Sequence, residues 1–308
     1  MTTTRREFTT MALASAAVTM VPRWVSAQAP LPVHLGVQTY SYRAMPRPAG
    51  AADSVDLVIQ AMLDSGAKEA ELWSPQIEPP MPMGPGTQVD PAERAAARER
   101  VRQFRLTTPL EHFTGIKKKF EAKGLSIYCF NLSFNDSFTD AEIDRGFEIA
   151  KALGVGVISV STLLPTAKRV APFADRHKLI VSMHNHARVT DPNECATLES
   201  FDEFMKLSTY YRLNLDIGHF TAANYDSIAY IRDHHDLITH LHVKDRKKNQ
   251  GDNVSWGQGD TPIADVLKLL AARKSPIRAF IEYEYQGTGT PVEEVKKCLD
   301  TAKSMLKA

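Results

Sequence analysis

The stretch HLHVKDR, His240 to Arg246, decides how the rest of this chain is read. Side chains alternate between the two faces of a β-strand, so His240, His242 and Lys244 share one face while Leu241 and Val243 fill the other. Two imidazoles and an amine on one strand face, with a carboxylate and a guanidinium just beyond, read as a strand that ends where chemistry begins. A solvated edge strand is the competing reading. The rest of the chain decides between them by whether it brings matching ligands to the same place.

Working outward, short apolar runs alternate with segments of helical period, the pattern of a parallel sheet with crossover helices. Strands are expected over residues 34–39, 69–73, 126–131, 157–161, 179–184, 212–216, 238–243 and 277–283, each followed by a helix. Eight such units in about 280 residues are the count of a single-domain (β/α)8 TIM barrel, an α/β fold. An open doubly wound sheet would prefer a Gly-rich phosphate turn after its first strand, and Thr39-Tyr-Ser-Tyr-Arg43 is nothing like one. After the second strand, residues 74–90 are rich in Pro, Gly and Met, and a charged helix is expected over 91–104. An insertion of this length, about 74–107, reads as a lid or binding loop.

Residues 1–29 read as an export signal followed by the barrel at 30–308. Arg5-Arg6-Glu7-Phe8 precedes a mild apolar run from Met11 to Val21, and Ala27-Gln28-Ala29 offers small residues for cleavage. The paired arginines point to the twin-arginine route and a periplasmic location. The run is too short and too rich in Ala and Thr to make a stable membrane anchor. With 43% hydrophobic and 24% charged residues the composition is that of a folded domain. A net charge of +1 gives no electrostatic case for a nucleic-acid partner. Cys129, Cys195 and Cys298 are odd in number and scattered, so free thiols are expected.

In such barrels the reactive groups sit at the C-terminal strand ends. The fifth strand ends in His184-Asn-His186, the sixth in Asp216-Ile-Gly-His219, the seventh in His242-Val-Lys244-Asp245, and the eighth carries Glu282-Tyr-Glu284. One strand-end histidine is weak evidence; four consecutive strands finishing in metal-binding side chains is a strong pattern. One ligand per strand gives His184, Asp216, His242 and Glu282, with the choice between Glu282 and Glu284 left open. Imidazole and carboxylate ligands without thiolates suit one divalent ion such as Mn, Zn, Co or Fe better than Ca. His186, His219, Lys244 and Glu284 then remain for substrate contact or acid/base work. Trp73, Trp256, Asn131 and Arg246, with Tyr40 and Tyr42 near the first strand, suggest a polyol pocket and a small-molecule carbohydrate ligand.

Asp216-Ile-Gly-His219, His240-Leu-His-Val-Lys-Asp245, Trp256-Gly-Gln-Gly and Ile281-Glu-Tyr-Glu-Tyr285 resemble the xylose-isomerase-like TIM barrels, and within them the sugar phosphate isomerase/epimerase branch. The resemblance implies one divalent ion held at the ends of strands five to eight, and often a homodimer. Position by position it carries the metal Asp to Asp216, the metal His to His242, the strand-eight Glu to Glu282 and a substrate-facing His to His219. The departure is His184, where many epimerases of the family place a Glu that binds metal and moves a proton. A metal-held imidazole cannot easily serve as that second base.

The expected function is therefore a divalent-metal-dependent carbohydrate isomerase or epimerase-type enzyme. It would abstract a proton next to a metal-polarised carbonyl of a non-phosphorylated sugar or keto-sugar, with Glu284, His219 or Lys244 taking that proton. A 3-keto-glycoside lyase or hydratase is the alternative within the same chemistry, and a non-catalytic periplasmic sugar-binding barrel the alternative of another class.

Overall fold

The computed structural model describes residues 31–48, 50–81 and 89–307. The expected export signal lies outside these residues, as does the middle of the segment after the second strand. Among the described residues, eight strands build the barrel: β1 (Leu35–Gln38), β2 (Glu69–Trp73), β3 (Ser126–Asn131), β4 (Val157–Val160), β5 (Ile180–His184), β6 (Tyr211–Asp216), β7 (Ile238–Val243) and β8 (Arg278–Ile281); the short pair Asp245–Arg246 and Asn253–Val254 lies outside it. They pair in parallel and close into a barrel in the order β1-β8-β7-β6-β5-β4-β3-β2. Around it run α1 (Val55–Ser65), α2 (Pro91–Thr107), α3 (Leu110–Glu121), α4 (Asp140–Ala152) and α5 (Leu164–His177). The ring is completed by α6 (Leu198–Met205), α7 (Ile217–Ala222), α8 (Ser227–His234), α9 (Ile263–Ala272) and α10 (Pro291–Met305). The TIM barrel expected from the strand count is thus the fold.

Strand alternation divides the polar from the apolar side chains. Val181, Met183, Leu213, Leu215, Leu241 and Val243 are fully buried between the outer barrel face and the helices, and supply the hydrophobic driving force. The intervening residues Ser182, His184, Asn214, Asp216, His240 and His242 are also buried. Apart from Ser182, whose hydroxyl meets Thr239 at 2.6 Å, they bond to one another and to Glu71 across the barrel. TIM-barrel interiors are usually filled by branched apolar residues, so a polar interior here marks the site. Register aligns these rows: Asp216 pairs with His242 and Asn214 with His240 between β6 and β7.

Local chemistry sets several boundaries. Thr139 and Glu142 form a reciprocal capping box at the start of α4, Glu142 N to Thr139 Oγ1 at 3.2 Å and Thr139 N to Glu142 Oε2 at 3.0 Å. Gly66, at φ 81°, stops α1 in the left-handed conformation that glycine adopts without penalty. The structure differs from expectation in two places that matter. The eighth strand ends at Ile281, so Glu282 and Glu284 lie beyond the ladder on the rim. The short helix α7, not expected from periodicity, begins directly after Asp216, whose side chain caps it by accepting from His219 N at 2.6 Å.

The charged segment after β2 becomes α2, joined to α4 by guanidinium–carboxylate pairs. Arg98 and Arg102 reach Glu142 at 2.7 and 3.1 Å, and Arg105 forks onto Glu78 at 2.6 and 2.8 Å. All three cysteines are buried free thiols, as expected. Among the described residues, no helix is long and apolar enough to cross a membrane.

Candidate functional site

At the centre of the barrel lies a carboxylate that the sequence pattern did not single out. Glu71 is completely buried. Its Oε1 accepts from Gln38 Nε2 at 3.0 Å, Asn131 Nδ2 at 3.1 Å and the Ser159 hydroxyl. Its Oε2 faces His242 Nε2 at 2.6 Å and His240 Nε2 at 3.1 Å. Burial alone would push the Glu71 carboxyl up, but His242 and His240 outweigh it and hold it well below the usual range. Its signal in sequence is slight: it is the second of two glutamates on one face of the strand EAELW, and Glu69 at the strand start is bound by Arg278.

Directly above it, His184, Asp216, His242 and Glu282 converge. One ligand atom from each lies within 4.8 Å of the others, and all four residues are buried. His184 Nε2 is 3.3 Å from Asp216 Oδ2, and His242 Nδ1 is 3.3 Å from Glu282 Oε2 and 4.0 Å from Asp216 Oδ2. The outer atoms of the ligands are committed elsewhere. Ser161 Oγ holds His184 Nδ1 at 3.0 Å, His219 N donates to Asp216 Oδ1 at 2.6 Å, and Glu71 holds His242 Nε2. His242 Nδ1 is buried and makes no hydrogen bond. An orphaned imidazole nitrogen aimed at two carboxylates and a second imidazole is what a divalent-cation site presents, so the residues fit a metal ion. Glu71, His240 and His242 form a second grouping of metal-binding residues. Their facing atoms already bond to one another, so they act as a support beneath the first group.

Electrostatics agree with this division. Burial brings the His184 imidazole down to about 4, leaving it neutral and able to donate a lone pair. Burial also opposes charge on His242, but Glu71 and Glu282 overcome it and raise its pKa well above the ordinary value. Metal binding there would exchange a proton for the ion. Burial would raise Asp216 and Glu282, yet Lys244 holds both down as carboxylates.

Lys244, itself buried, reaches into the same group. Its Nζ lies 2.9 Å from Asp216 Oδ2, 2.8 Å from Glu282 Oε2, 2.5 Å from Glu284 Oε2 and 2.9 Å from His219 Nε2. Gly218 is what admits it: a Cβ there would stand 2.6 Å from Lys244 Cγ and 2.9 Å from its carbonyl oxygen. Burial disfavours the ammonium, but Asp216, Glu282 and Glu284 raise its pKa far above that of a free lysine. With these carboxylates around it, Lys244 stands in this arrangement as an ammonium and hydrogen-bond donor. His219 is kept neutral by burial and by Lys244, and its Nδ1 faces Arg246 at 2.6 Å.

A cavity of about 220 Å³ opens above these groups, lined by His184, His186, His219, His242, Lys244, Glu282 and Glu284 on one side and by Gln38, Tyr40, Trp73 and Asn131 on the other. His186, Trp73 and Asn131 are thus brought to the site as expected. Trp256 is not: it packs against the core and lines a separate cavity with Tyr285 and Glu294. The reason is Asp245, which accepts from Gly257 N, Gly259 N and Thr261 N at 2.8, 2.9 and 3.2 Å and folds the Trp256-Gly-Gln-Gly turn back on itself. Arg246 binds Gly251 O and His219 behind the cavity and does not line it. Tyr40 lines it too, as the polyol reading expected, whereas Gln38, Ser133 and Ser161 line it without having been singled out.

Residues 60–305 match the sequence profile of a family described as xylose isomerase-like TIM barrel. The chain belongs to that family. No curated protein matches it. Among solved structures, a sugar phosphate isomerase/epimerase from Parabacteroides distasonis superposes with TM-score 0.59 at 16% identity, covering 92% of this chain and 99% of the other. A protein described as the probable 3-DHS dehydratase AsbF from Bacillus anthracis gives TM-score 0.59 at 13% identity, over 87% and 99%. The IOLI protein with a bound zinc atom gives 0.60 at 14% identity, over 89% and 98%. At these identities the likeness is one of fold. It places this xylose isomerase-like barrel among isomerase/epimerase and dehydratase neighbours.

Proposed function

We propose that this barrel is a divalent-metal-dependent carbohydrate isomerase or epimerase-type enzyme acting on a non-phosphorylated sugar or keto-sugar. The observation that carries the reading is the orphaned, buried Nδ1 of His242 at the centre of His184, Asp216 and Glu282, beside a cavity that also holds the Lys244–Glu284 pair. When bound, a divalent ion (Mn, Zn, Co or Fe) would polarise a carbonyl oxygen and acidify the adjacent carbon. Lys244 donates to the oxygen on which charge develops, and its proximity stabilises that charge in a site screened from water. Glu284, partly open to the cavity, takes the carbon-bound proton. His186, braced by Glu194 at 2.8 Å, and Asn131 offer hydrogen bonds to sugar hydroxyls. Periplasmic export by the twin-arginine route is part of the same proposal, and agrees with a substrate lacking phosphate.

A 3-keto-glycoside lyase or hydratase is favoured by one observation. Among the described residues, the carboxylates lining the cavity are Glu282 and Glu284, and both contact Lys244. His184, with its lone pair turned to the metal group, supplies no second base. Elimination needs one base and one donor, which Glu284 and Lys244 provide.

The test is incubation of metal-loaded protein with keto-sugars in D2O, followed by NMR. Deuterium entering the carbon next to the carbonyl, lost in Glu284→Gln, is expected. Epimer formation without release marks the epimerase, and aglycone release marks the lyase. Sugar binding that survives chelator without any exchange would instead support a binding protein.

A further inference from the structure

Beside the polar cavity lies a larger one of about 550 Å³, and Tyr40 and Trp73 line both. The rings of these two residues meet edge to face, centroids 4.9 Å apart, so they form a shared wall on the rim. The chemistry changes across it. On the polar side stand imidazoles, carboxylates and Lys244. On the far side the wall is continued by Met45 from the loop after β1, Leu57 and Val58 from α1, and Pro75 from the turn after β2. Among the described residues, no carboxylate lines this second space. Arg47, at its edge, spends its guanidinium on the carbonyls of Ala52, Pro75 and Glu78 at 2.8, 2.9 and 2.8 Å. Arg43 donates to Tyr283 O at 2.8 Å and lies over the Tyr40 ring at 4.2 Å.

The geometry points to a two-part substrate, a glycoside whose sugar ring occupies the polar cavity while an uncharged aromatic or apolar aglycone occupies the second. This rests on the carbohydrate reading above and narrows it from a free sugar to a glycoside. The occupant follows from continuity and size. A space of 220 Å³ suits one sugar ring, whereas 550 Å³ falls in the range of pockets that enclose an aryl-sized group. A wall of Trp, Tyr, Met, Leu, Val and Pro, with its two guanidiniums engaged, favours apolar and π surface over a second charged or polyhydroxylated unit. Binding energy gained there, remote from the reacting carbon, can hold the sugar ring in register with Glu284 and Lys244.

The experiment is calorimetric titration of metal-loaded Glu284→Gln protein, which stops turnover, with methyl and phenyl 3-keto-glucoside. The phenyl glycoside is expected to bind tighter by about tenfold or more. Leu57→Trp, which fills the second cavity from α1, is expected to bring the phenyl-to-methyl ratio close to one. Equal affinity for the two ligands in the protein without the filling substitution overturns the inference whether or not the filled variant folds. Methyl binding with no phenyl gain leaves the carbohydrate reading standing and removes only the second cavity's role. Binding of neither ligand overturns both.

Discussion

Glu71 connects the two faces of His242, and its effect is felt at the atom it does not touch. By binding His242 Nε2 at 2.6 Å it leaves Nδ1 as the nitrogen presented to Asp216 and Glu282. A carboxylate behind a metal-binding histidine fixes ring orientation and tautomer and raises basicity; such partners are typically worth about 10–100-fold in metal affinity. Glu71→Gln should therefore weaken binding by about that factor in chelator competition with Zn or Mn. The amide is the informative substitution, because alanine would leave a buried imidazolium unpaired at about 3–5 kcal/mol. His242→Ala should abolish stoichiometric metal in the purified protein by elemental analysis; full occupancy would show that the ligand assignment is wrong. Lys244→Met should keep metal but lose turnover, since the substitution removes the donor and not a ligand. Metal loss in that variant would place Lys244 in the support of the centre and not in the chemistry.

At the scale of elements, α2 is sparsely held by apolar packing, with Ala97, Val101 and Arg105 the buried residues along its 17. It is tied down by charge: Glu142 on α4 takes Arg98 and Arg102 while capping its own helix. Burial would raise the Glu142 carboxyl, but the Thr139 N–H and the two guanidiniums overcome this and hold it below its ordinary value of 4.5. A carboxyl depressed in the folded state contributes stability that is present above its unfolded pKa and lost as pH falls through the folded one. Urea unfolding followed from pH 7 to pH 3 should show stability declining below about pH 4.5. In Glu142→Gln that part of the decline should be flattened, and the variant should start from a lower plateau. An unchanged pH profile would mean that α2 is held by something else.

For the whole molecule, a metal held by the buried group at the barrel mouth would couple to folding, because the four side chains come from β5, β6, β7 and the rim after β8. Only the closed barrel brings them together, so an ion that binds them stabilises the folded state alone. At about 100 times Kd the linkage is worth about 2.7 kcal/mol, or a rise in Tm of about 5 °C. Thermal unfolding with and without chelator measures it. No difference at saturating Mn, Zn, Co and Fe would argue that the cluster is a closed ion-pair network.

The sequence by itself determined the strands, the barrel and the candidate metal-binding side chains His184, Asp216 and His242, with Glu282 and Glu284 left as alternatives for the fourth. The reason is that each rests on short-range order: period-2 and period-3.6 patterns, helix caps, and polar residues at strand ends that the topology must bring to one rim. Even the bounds of β2, β3 and β7 were legible in this way. What only the tertiary structure decided were relations across the barrel. Glu71 and His242 are 171 positions apart in the chain yet 2.6 Å apart in space, and no local pattern encodes that distance. Lys244 reads as a versatile amine in HLHVKDR, but its three carboxylate partners, Asp216, Glu282 and Glu284, are brought to it only by the other strands. Trp256 reads as a sugar platform until Asp245 gathers the N–H groups of its loop and turns the ring elsewhere. Protonation state and side-chain direction depend on what the other strands bring, and the folded barrel alone supplies that.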